Sequence, residues 1–163
     1  MIRLTQRMVL DADAQPATVL LLTAEERTRS RSQVRAEAGA TFALQLPRGT
    51  VLNDGDVLAS DDGATRALIK ARAEPVLTAR TGDAFLLLRA AYHLGNRHVP
   101  LELGAGYLRL SPDPVLADML CRMGVEVIEE YVPFHPEHGA YSGGHAGHAS
   151  HPHVLRTEAG AHD

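Results

Sequence analysis

The sequence predicts an α+β protein with a small all-β N-terminal domain, a second domain that mixes strands and helices, and a flexible histidine-rich tail. Strand-like runs separated by Gly and Asp turns fill residues 1–73. A helical period then appears between strands over residues 74–134, and the apolar pattern stops after Phe134. We therefore expect domains over 1–73 and 74–134, followed by a disordered tail over 135–163.

Short strands account for the first domain. Three strand-like runs are TVLLL at 18–22, TFALQLP at 41–47 and ALIKA at 67–71. In the second run, Phe42, Leu44 and Leu46 alternate and so share one face. The charged stretch over 25–37 mixes both signs, which favours a solvated face or an edge strand over a binding patch.

The second domain opens with the strand-like segment PVLTAR and a helix. Thr81 or Asp83 can cap this helix, which is expected to run to about Leu94 and to stop at Gly95. Its apolar face is predicted to comprise Phe85, Leu88 and Tyr92. A strand followed by a helix is complete at this point.

Two further strands, HVPLEL and GYLRL, precede a second helix that Asp113 can cap and Pro114 can begin. The apolar stripe of this helix is predicted to comprise Val115, Leu116, Met119, Leu120 and Met123, and Cys121 beside it is expected to be a buried packing residue. VEVIEEYVPF supplies a last strand. The order βαββαβ predicts a ferredoxin-like domain.

Composition excludes several classes of function. Sixteen basic residues stand against twenty acidic ones, and a net charge of −4 disfavours a nucleic-acid partner. Cys121 is the only cysteine, so no intrachain disulfide forms, which suits a reducing cytoplasm. No run approaches the roughly 20 apolar residues that cross a bilayer. We expect a soluble cytoplasmic protein without a nucleic-acid or membrane partner.

The tail holds seven of the nine histidines among Gly, Ala, Ser and Pro. Imidazole is the commonest protein ligand for borderline divalent ions, and a flexible chain can wrap several around one ion. The candidate ligands with the closest spacing are His145, His148, His151 and His153. Their separation by other residue types disfavours a purification tag. The sequence alone leaves Ni²⁺, Zn²⁺ and Cu²⁺ open as the bound metal.

Two histidines lie outside the tail. His93, near a helix C-terminus, is favoured as a cation, which indicates a structural role. His98 is expected to open a strand beside a turn, where its imidazole can project from a rigid element. A two-fold axis would place a second His98 opposite the first and make this residue a plausible fixed ligand.

Enzyme motifs are missing from the sequence. It contains no G-x-S-x-G elbow, no phosphate-binding loop and no H-E-x-x-H, and Gly104-x-Gly106 lacks the third glycine of a dinucleotide turn. A metal-dependent hydrolase built from His93, His98 and Glu102 is the enzymatic alternative, but catalytic zinc sites use three fixed ligands. A protein that stores divalent metal without a delivery partner is the other alternative. We expect no catalytic residues.

Several segments resemble one known family. They are LPRGTVLNDGDVL (46–58), AYHLGNRHVPLEL (91–103), VLADML (115–120) and PFHPEHGAY (133–141), together with the histidine-bearing tail. In this order they resemble the UreE-type urease accessory proteins, and the GNRH segment is the most specific. The resemblance covers most of the chain.

The resemblance implies a fold and a function. It implies an N-terminal domain of the peptide-binding type and a ferredoxin-like domain that forms a homodimer. It also implies a nickel metallochaperone that carries Ni²⁺ as cargo, interacts with a UreG-type GTPase and delivers the ion to apo-urease within an accessory complex. By the GNRH motif, His98 would face its symmetry mate and bind one ion per dimer, completed by tail imidazoles. Pro112, Asp113 and Pro114 stand where some relatives carry a histidine pair, so a secondary site is not expected there.

Overall fold

The computed structural model describes residues 1–8 and 18–138. The predicted ligands His145, His148, His151 and His153 lie outside the described residues. The longest described helix has 12 residues, and none of the described helices is long and apolar enough to cross a membrane.

The N-terminal half consists of two small sheets and one short helix. Its elements are β1 (Ile2–Leu4), β2 (Gln6–Met8), β3 (Thr18–Leu22), α1 (Ala24–Arg27), β4 (Arg31–Arg35), β5 (Thr41–Gln45), β6 (Val57–Ala59) and β7 (Arg66–Ala71). The sheet orders are β1-β5-β4 and β2-β6-β7-β3. Strands β1 and β2 are consecutive, so the first eight residues contribute to both sheets. The three strand runs predicted from the sequence correspond to β3, β5 and β7.

One apolar cluster fills this half. Leu4, Leu20, Leu44, Leu58 and Ile69 are almost completely buried in it. The prediction that Phe42, Leu44 and Leu46 share one face is confirmed, because all three lie in this cluster and are at most 2% exposed. Ala43 between them is also buried, at 6% exposed. Aliphatic burial of this extent is the main force that stabilises a domain lacking tryptophan.

The prediction for the charged stretch over 25–37 was only partly right. Strand β4 is an edge strand, as expected. Residues 24–27 instead form α1, in which the Thr23 side chain accepts from the Glu26 amide and the Glu26 carboxylate accepts from the Thr23 amide. This capping box is visible in the sequence as T-A-E-E. The sequence analysis considered only the mixed charges of this stretch and therefore missed the start of a helix.

Arg27 is the second departure from the expected solvated face. Its side chain is 4% exposed and donates hydrogen bonds to the backbone carbonyls of Leu52 and Phe134. Burial lowers the pKa of its guanidinium, because the charged form loses hydration. The contact with Phe134 joins α1 to the chain just before the predicted tail.

The C-terminal half has the predicted order of elements. They are β8 (Ala73–Arg80), α2 (Ala84–Gly95), β9 (Glu102–Gly104), β10 (Tyr107–Leu110), α3 (Pro114–Arg122) and β11 (Glu126–Pro133). The sheet order is β11-β8-β10-β9, with antiparallel neighbours throughout. Asp83 caps α2 and Asp113 caps α3. The ferredoxin-like prediction is therefore confirmed.

The predicted packing side was wrong for α2 and largely right for α3. Phe85, Leu88 and Tyr92 are 67%, 65% and 66% exposed, whereas Ala90 and Leu94 face the core. Apolar side chains surround most of α2, so their period does not identify the buried side. In α3 Leu120 is fully buried, and Leu116, Met119 and Met123 pack against the same core, whereas Val115 is 76% exposed. The prediction for Cys121 was wrong: it is exposed rather than packed, because it lies one residue away from the core-facing position.

Candidate metal site

His98 lies in the turn that follows α2. Its amide donates to the Gly95 carbonyl at 2.9 Å, and the Val99 amide donates to the Leu94 carbonyl at 3.2 Å. These bonds close the helix and place His98 in the left-handed region at φ 55°. Few residues other than glycine adopt this conformation, and histidine is among those that do so more often. The His98 side chain is exposed.

His98 therefore does not open a strand, as the sequence had suggested. Strand β9 begins only at Glu102, because the backbone of residues 98 and 99 is used to terminate α2. Pro100 has no amide hydrogen to donate to a ladder, which also delays the strand. The imidazole is still presented by a hydrogen-bonded turn rather than by a free loop.

A complete metal site is not formed within the described part of one chain. No group of three or more His, Cys, Asp or Glu side chains is positioned to hold an ion among residues 1–8 and 18–138. His93 is half-buried in the last turn of α2, where its ring makes an edge contact with Tyr92 at 5.6 Å between centroids. An ion at His98 would therefore need donors from a second copy or from residues outside the described ones.

Glu102 is engaged in a polar network and not exposed as a base. Its side chain is in the buried class, and its Oε1 accepts from Tyr107 Oη at 3.0 Å and from Arg109 Nη1 at 2.9 Å. Its Oε2 accepts from the His135 amide at 2.8 Å. Because both oxygens hold protein donors, the structure does not favour the hydrolase built from His93, His98 and Glu102.

The Glu102 network lies on the sheet face opposite the helices. Leu108 and Leu110 of β10 face the helix-covered core, so Tyr107 and Arg109 point to the other face. The Tyr107 ring lies against Gly104, where an added Cβ would come within 2.1 Å of ring atoms. Arg109 lies over the same ring at 4.6 Å from its centroid. The hydrogen bond to Glu102 raises the pKa of Tyr107, because only the neutral phenol donates it.

The first residues of the predicted tail are hydrogen-bonded to the rest of the protein. Besides the His135 bond to Glu102, the Glu137 amide donates to the Leu101 carbonyl at 2.7 Å. His138 Nε2 lies 2.8 Å from Asn53 Oδ1. We call residues 135–138 the tail root. It is bonded to residues 101 and 102, only a few positions after His98 in the chain.

The chain matches known proteins along most of its length. Residues 3–70 match the family model described as UreE urease accessory protein, N-terminal domain, and residues 74–162 match the one described as its C-terminal domain. The urease accessory protein UreE of Nostoc sp. is 51% identical over 153 residues, which cover 94% of this chain and 100% of that protein.

Two longer relatives give the same result. The proteins of the same name from Burkholderia orbicola and Paraburkholderia xenovorans are each 55% identical over 129 residues, which cover 79% of this chain. The matched region spans 63% and 57% of those two proteins. Because two family models and these relatives agree on the same residues, the chain belongs to the UreE family of urease accessory proteins.

Proposed function

We propose that this protein is a nickel metallochaperone for urease maturation, with a chaperone role rather than a catalytic one. Its cargo is Ni²⁺, held by His98 from each of two copies, and Zn²⁺ or Cu²⁺ can bind the same nitrogen donors. His145, His148, His151 and His153 complete the coordination shell. The observation that carries the proposal is the exposed, turn-fixed His98 on a chain of this family.

The exposed side of α2 supports a dimer. Phe85, Leu88 and Tyr92 form an apolar face that remains open in the single chain, and Leu103 nearby is 52% exposed. A groove of about 350 Å³ between α2 and the β9–β10 hairpin extends this surface. Large exposed apolar patches commonly mark protein interfaces. Since α2 leads directly to His98, an isologous interface along α2 would bring two His98 side chains close to the two-fold axis.

The tail root supports participation of the tail histidines. Hydrogen bonds to residues 101 and 102 hold it within three or four positions of His98, a span of at most about 14 Å. His145 is seven residues beyond His138, so it can reach about 25 Å from it. The tail imidazoles can therefore reach an ion at His98 without any change in the rest of the chain.

This arrangement suits delivery as well as capture. Two His98 imidazoles supply two donors, so the ion keeps positions that tail histidines or an acceptor protein can occupy in turn. Ligand exchange can then proceed without complete dehydration of the ion. Imidazole has an ordinary pKa of about 6.5, and the metal-binding form is the neutral one, so mild acid should release the ion.

Calorimetric titration with Ni²⁺ tests the assignment. His98→Ala should remove the tightest ion, one per two chains, because the fixed donors are lost. His93→Ala is the matched control, since it removes an imidazole from the same helix end without touching the proposed site. Replacing the four tail histidines with alanine should lower the number of ions bound more than the affinity of the tightest one. Unchanged binding in both His98→Ala and the fourfold variant would contradict the assignment.

Delivery requires a partner, which we propose to be a UreG-type GTPase acting with apo-urease in the cytoplasm. Pull-down of that GTPase with and without Ni²⁺ separates a delivery protein from a metal store. A delivery protein should capture the GTPase more strongly when loaded with the ion, whereas a store should bind several weak ions and capture no partner.

A further inference from the structure

We propose that Val99 and Pro100 are positioning residues of the metal site, which hold His98 in its left-handed conformation and so fix the direction in which its imidazole is presented. This inference rests on the proposed function, in which His98 is the fixed ligand. It assigns a role to two apolar residues, neither of which carries a side-chain atom that could bind a metal.

Helix α2 ends in a Schellman motif whose left-handed residue is His98. The Val99 amide donates to the Leu94 carbonyl, five positions earlier, and the His98 amide donates to the Gly95 carbonyl, three positions earlier. Paired bonds of these two spans are the pattern in which a helix reverses through one left-handed residue. Glycine usually occupies that position, because a side chain there is strained. In this chain the position is occupied by the proposed ligand, at φ 55°.

The left-handed conformation determines the direction of the His98 side chain. A right-handed residue at position 98 would continue α2, and its Cα–Cβ bond would tilt towards the N-terminus of the helix. With φ at 55° the chain reverses at His98, so the same bond leaves the helix end in a different direction. A backbone that alternated between the two conformations would present the imidazole to a shared ion for only part of the time.

The two residues after His98 favour the left-handed turn. Val99 is half-buried and packs against the core cluster that contains Leu94, which is the kind of apolar contact that accompanies this type of helix end. Pro100 restricts Val99 to the extended region, because the proline ring clashes with a preceding residue in the right-handed helical conformation. Continuation of α2 through residues 98 and 99 is therefore disfavoured.

The contributions to the turn are similar in size. The left-handed region is disfavoured for a residue with a side chain by a factor of about five to thirty, and histidine tolerates it better than most. Each of the two backbone hydrogen bonds restores a factor of about two to ten. A proline at a compatible position is worth a further factor of about two to five. Because strain and hydrogen bonds nearly cancel, Val99 and Pro100 decide how often His98 is left-handed.

Pro100→Ala in the full chain tests the restraint with little disturbance of the core, because Pro100 is exposed. If the left-handed fraction of each His98 falls about two-fold, an ion that needs two copies should bind about four-fold more weakly in calorimetric titration with Ni²⁺. Pro112→Ala is the matched control, since Pro112 is also exposed but precedes the cap of α3. This control should leave the nickel affinity unchanged.

Two substitutions of Val99 test the apolar contact. Val99→Ala removes most of the packing against the core and should weaken the tightest ion by about ten-fold, more than Pro100→Ala does. Val99→Ile keeps a branched apolar side chain and should bind nickel within about two-fold of the native chain. Equal losses of affinity in Val99→Ala and Val99→Ile would overturn the proposal.

A spectroscopic measurement distinguishes positioning from a general loss of structure. The nuclear Overhauser effect between Hα and the amide hydrogen of one residue is strong when φ is positive. In the metal-free protein, this signal at His98 should weaken in Pro100→Ala, weaken further in Val99→Ala and persist in Val99→Ile. Loss of nickel affinity in the first two variants with an unchanged signal at His98 would overturn the proposal.

A second background isolates the contribution of the imidazole. Asparagine also tolerates the left-handed region, so His98→Asn should keep the turn without the ligand. In that background Pro100→Ala should have no effect on nickel affinity. A general structural role of Pro100 would instead lower the affinity equally in both backgrounds, and that result would overturn the proposal.

The proposed function and this inference can fail in distinguishable ways. If His98→Asn binds nickel as tightly as the native chain, the metal assignment fails, and the positioning role fails with it. If His98→Asn loses the tightest ion while Pro100→Ala and Val99→Ala bind that ion as the native chain does, the positioning role fails and the metal assignment stands.

Discussion

The two halves of the chain differ in how completely they bury their large apolar side chains. The N-terminal half buries its large aliphatic residues in one cluster, and Arg27 is its one charged residue in the buried class among the described positions. The C-terminal half leaves Phe85, Leu88 and Tyr92 of α2 in solvent while it buries Glu102. Each half therefore buries one charged residue, and the second half differs by leaving apolar side chains exposed along one helix.

The exposed helix face and the buried carboxylate each indicate a separate kind of contact. Exposed apolar side chains on one helix face cost free energy in water unless a partner covers them, which indicates an interface. A buried carboxylate is destabilising unless donors surround it, and the three donors at Glu102 include one from the tail root. The C-terminal half therefore has two features that its own core does not explain: an open apolar helix face and a buried carboxylate bonded to the tail root.

The largest expected effect contrasts two leucines. Leu44→Ala should lower the free energy of unfolding by about 3 kcal/mol, because it leaves a cavity in a core where Leu44 is 1% exposed. Leu88→Ala should cost less than about 1 kcal/mol in dilute solution, since Leu88 is 65% exposed. Urea unfolding at several protein concentrations measures both. Only the effect of Leu88→Ala should increase with protein concentration, because the proposed dimer would bury the Leu88 side chain.

The next effect concerns the two helices of the C-terminal half. Leu88→Glu should raise the dimer dissociation constant by about 100-fold, because it brings two buried charges into the proposed interface. Val115→Glu on α3 is the matched control, since Val115 is 76% exposed but lies on the other helix. Sedimentation velocity distinguishes them. Dissociation by Val115→Glu and not by Leu88→Glu would place the interface on α3 instead.

Local sequence signals were sufficient for the order of elements in the C-terminal half. Asp83 and Asp113 cap the two long helices where their position before an apolar run predicts it. Gly124, at φ 89°, follows α3 because a left-handed residue ends a helix without steric cost. These features depend on neighbouring residues alone, which is why one sequence was enough to predict them.

Long-range packing could not be predicted in the same way. The buried side of α2 depends on which elements lie over it, and α2 is apolar on several sides. The Glu102–Arg109 ion pair could have been predicted more easily. The two residues are directly opposite each other in the β9–β10 register, and oppositely charged residues are favoured at such positions. The bond from His135 to Glu102 joins residues 33 positions apart and has no local signal. The predicted domain boundary at 73/74 and the tail ligands stay predictions.

The smallest effect, a dependence on acid, should arise in the C-terminal sheet. The Thr78 hydroxyl and then Arg80 stabilise the charged form of Glu130 and lower its pKa below the ordinary 4.5. A carboxyl whose pKa is lower in the folded state contributes stability that is present above the unfolded pKa and is lost as pH falls through the folded one. The urea concentration at the unfolding midpoint of the native chain should therefore decrease as the pH is lowered below about 4.5. Glu130→Gln should make that decrease smaller.

The neighbouring carboxylate separates this effect from a general response of the protein to acid. Glu129 is on the same strand but exposed, so Glu129→Gln should leave the acid dependence of the urea midpoint as it is in the native chain.

Asp62 is the counterpart in the N-terminal half, where the Ser60 hydroxyl lowers its pKa within a turn. If Glu130→Gln and Asp62→Asn both reduce the acid dependence of the midpoint of a single unfolding transition, the two halves unfold together. If each alters a separate transition, the two halves are independent in stability as well as in the placement of their side chains.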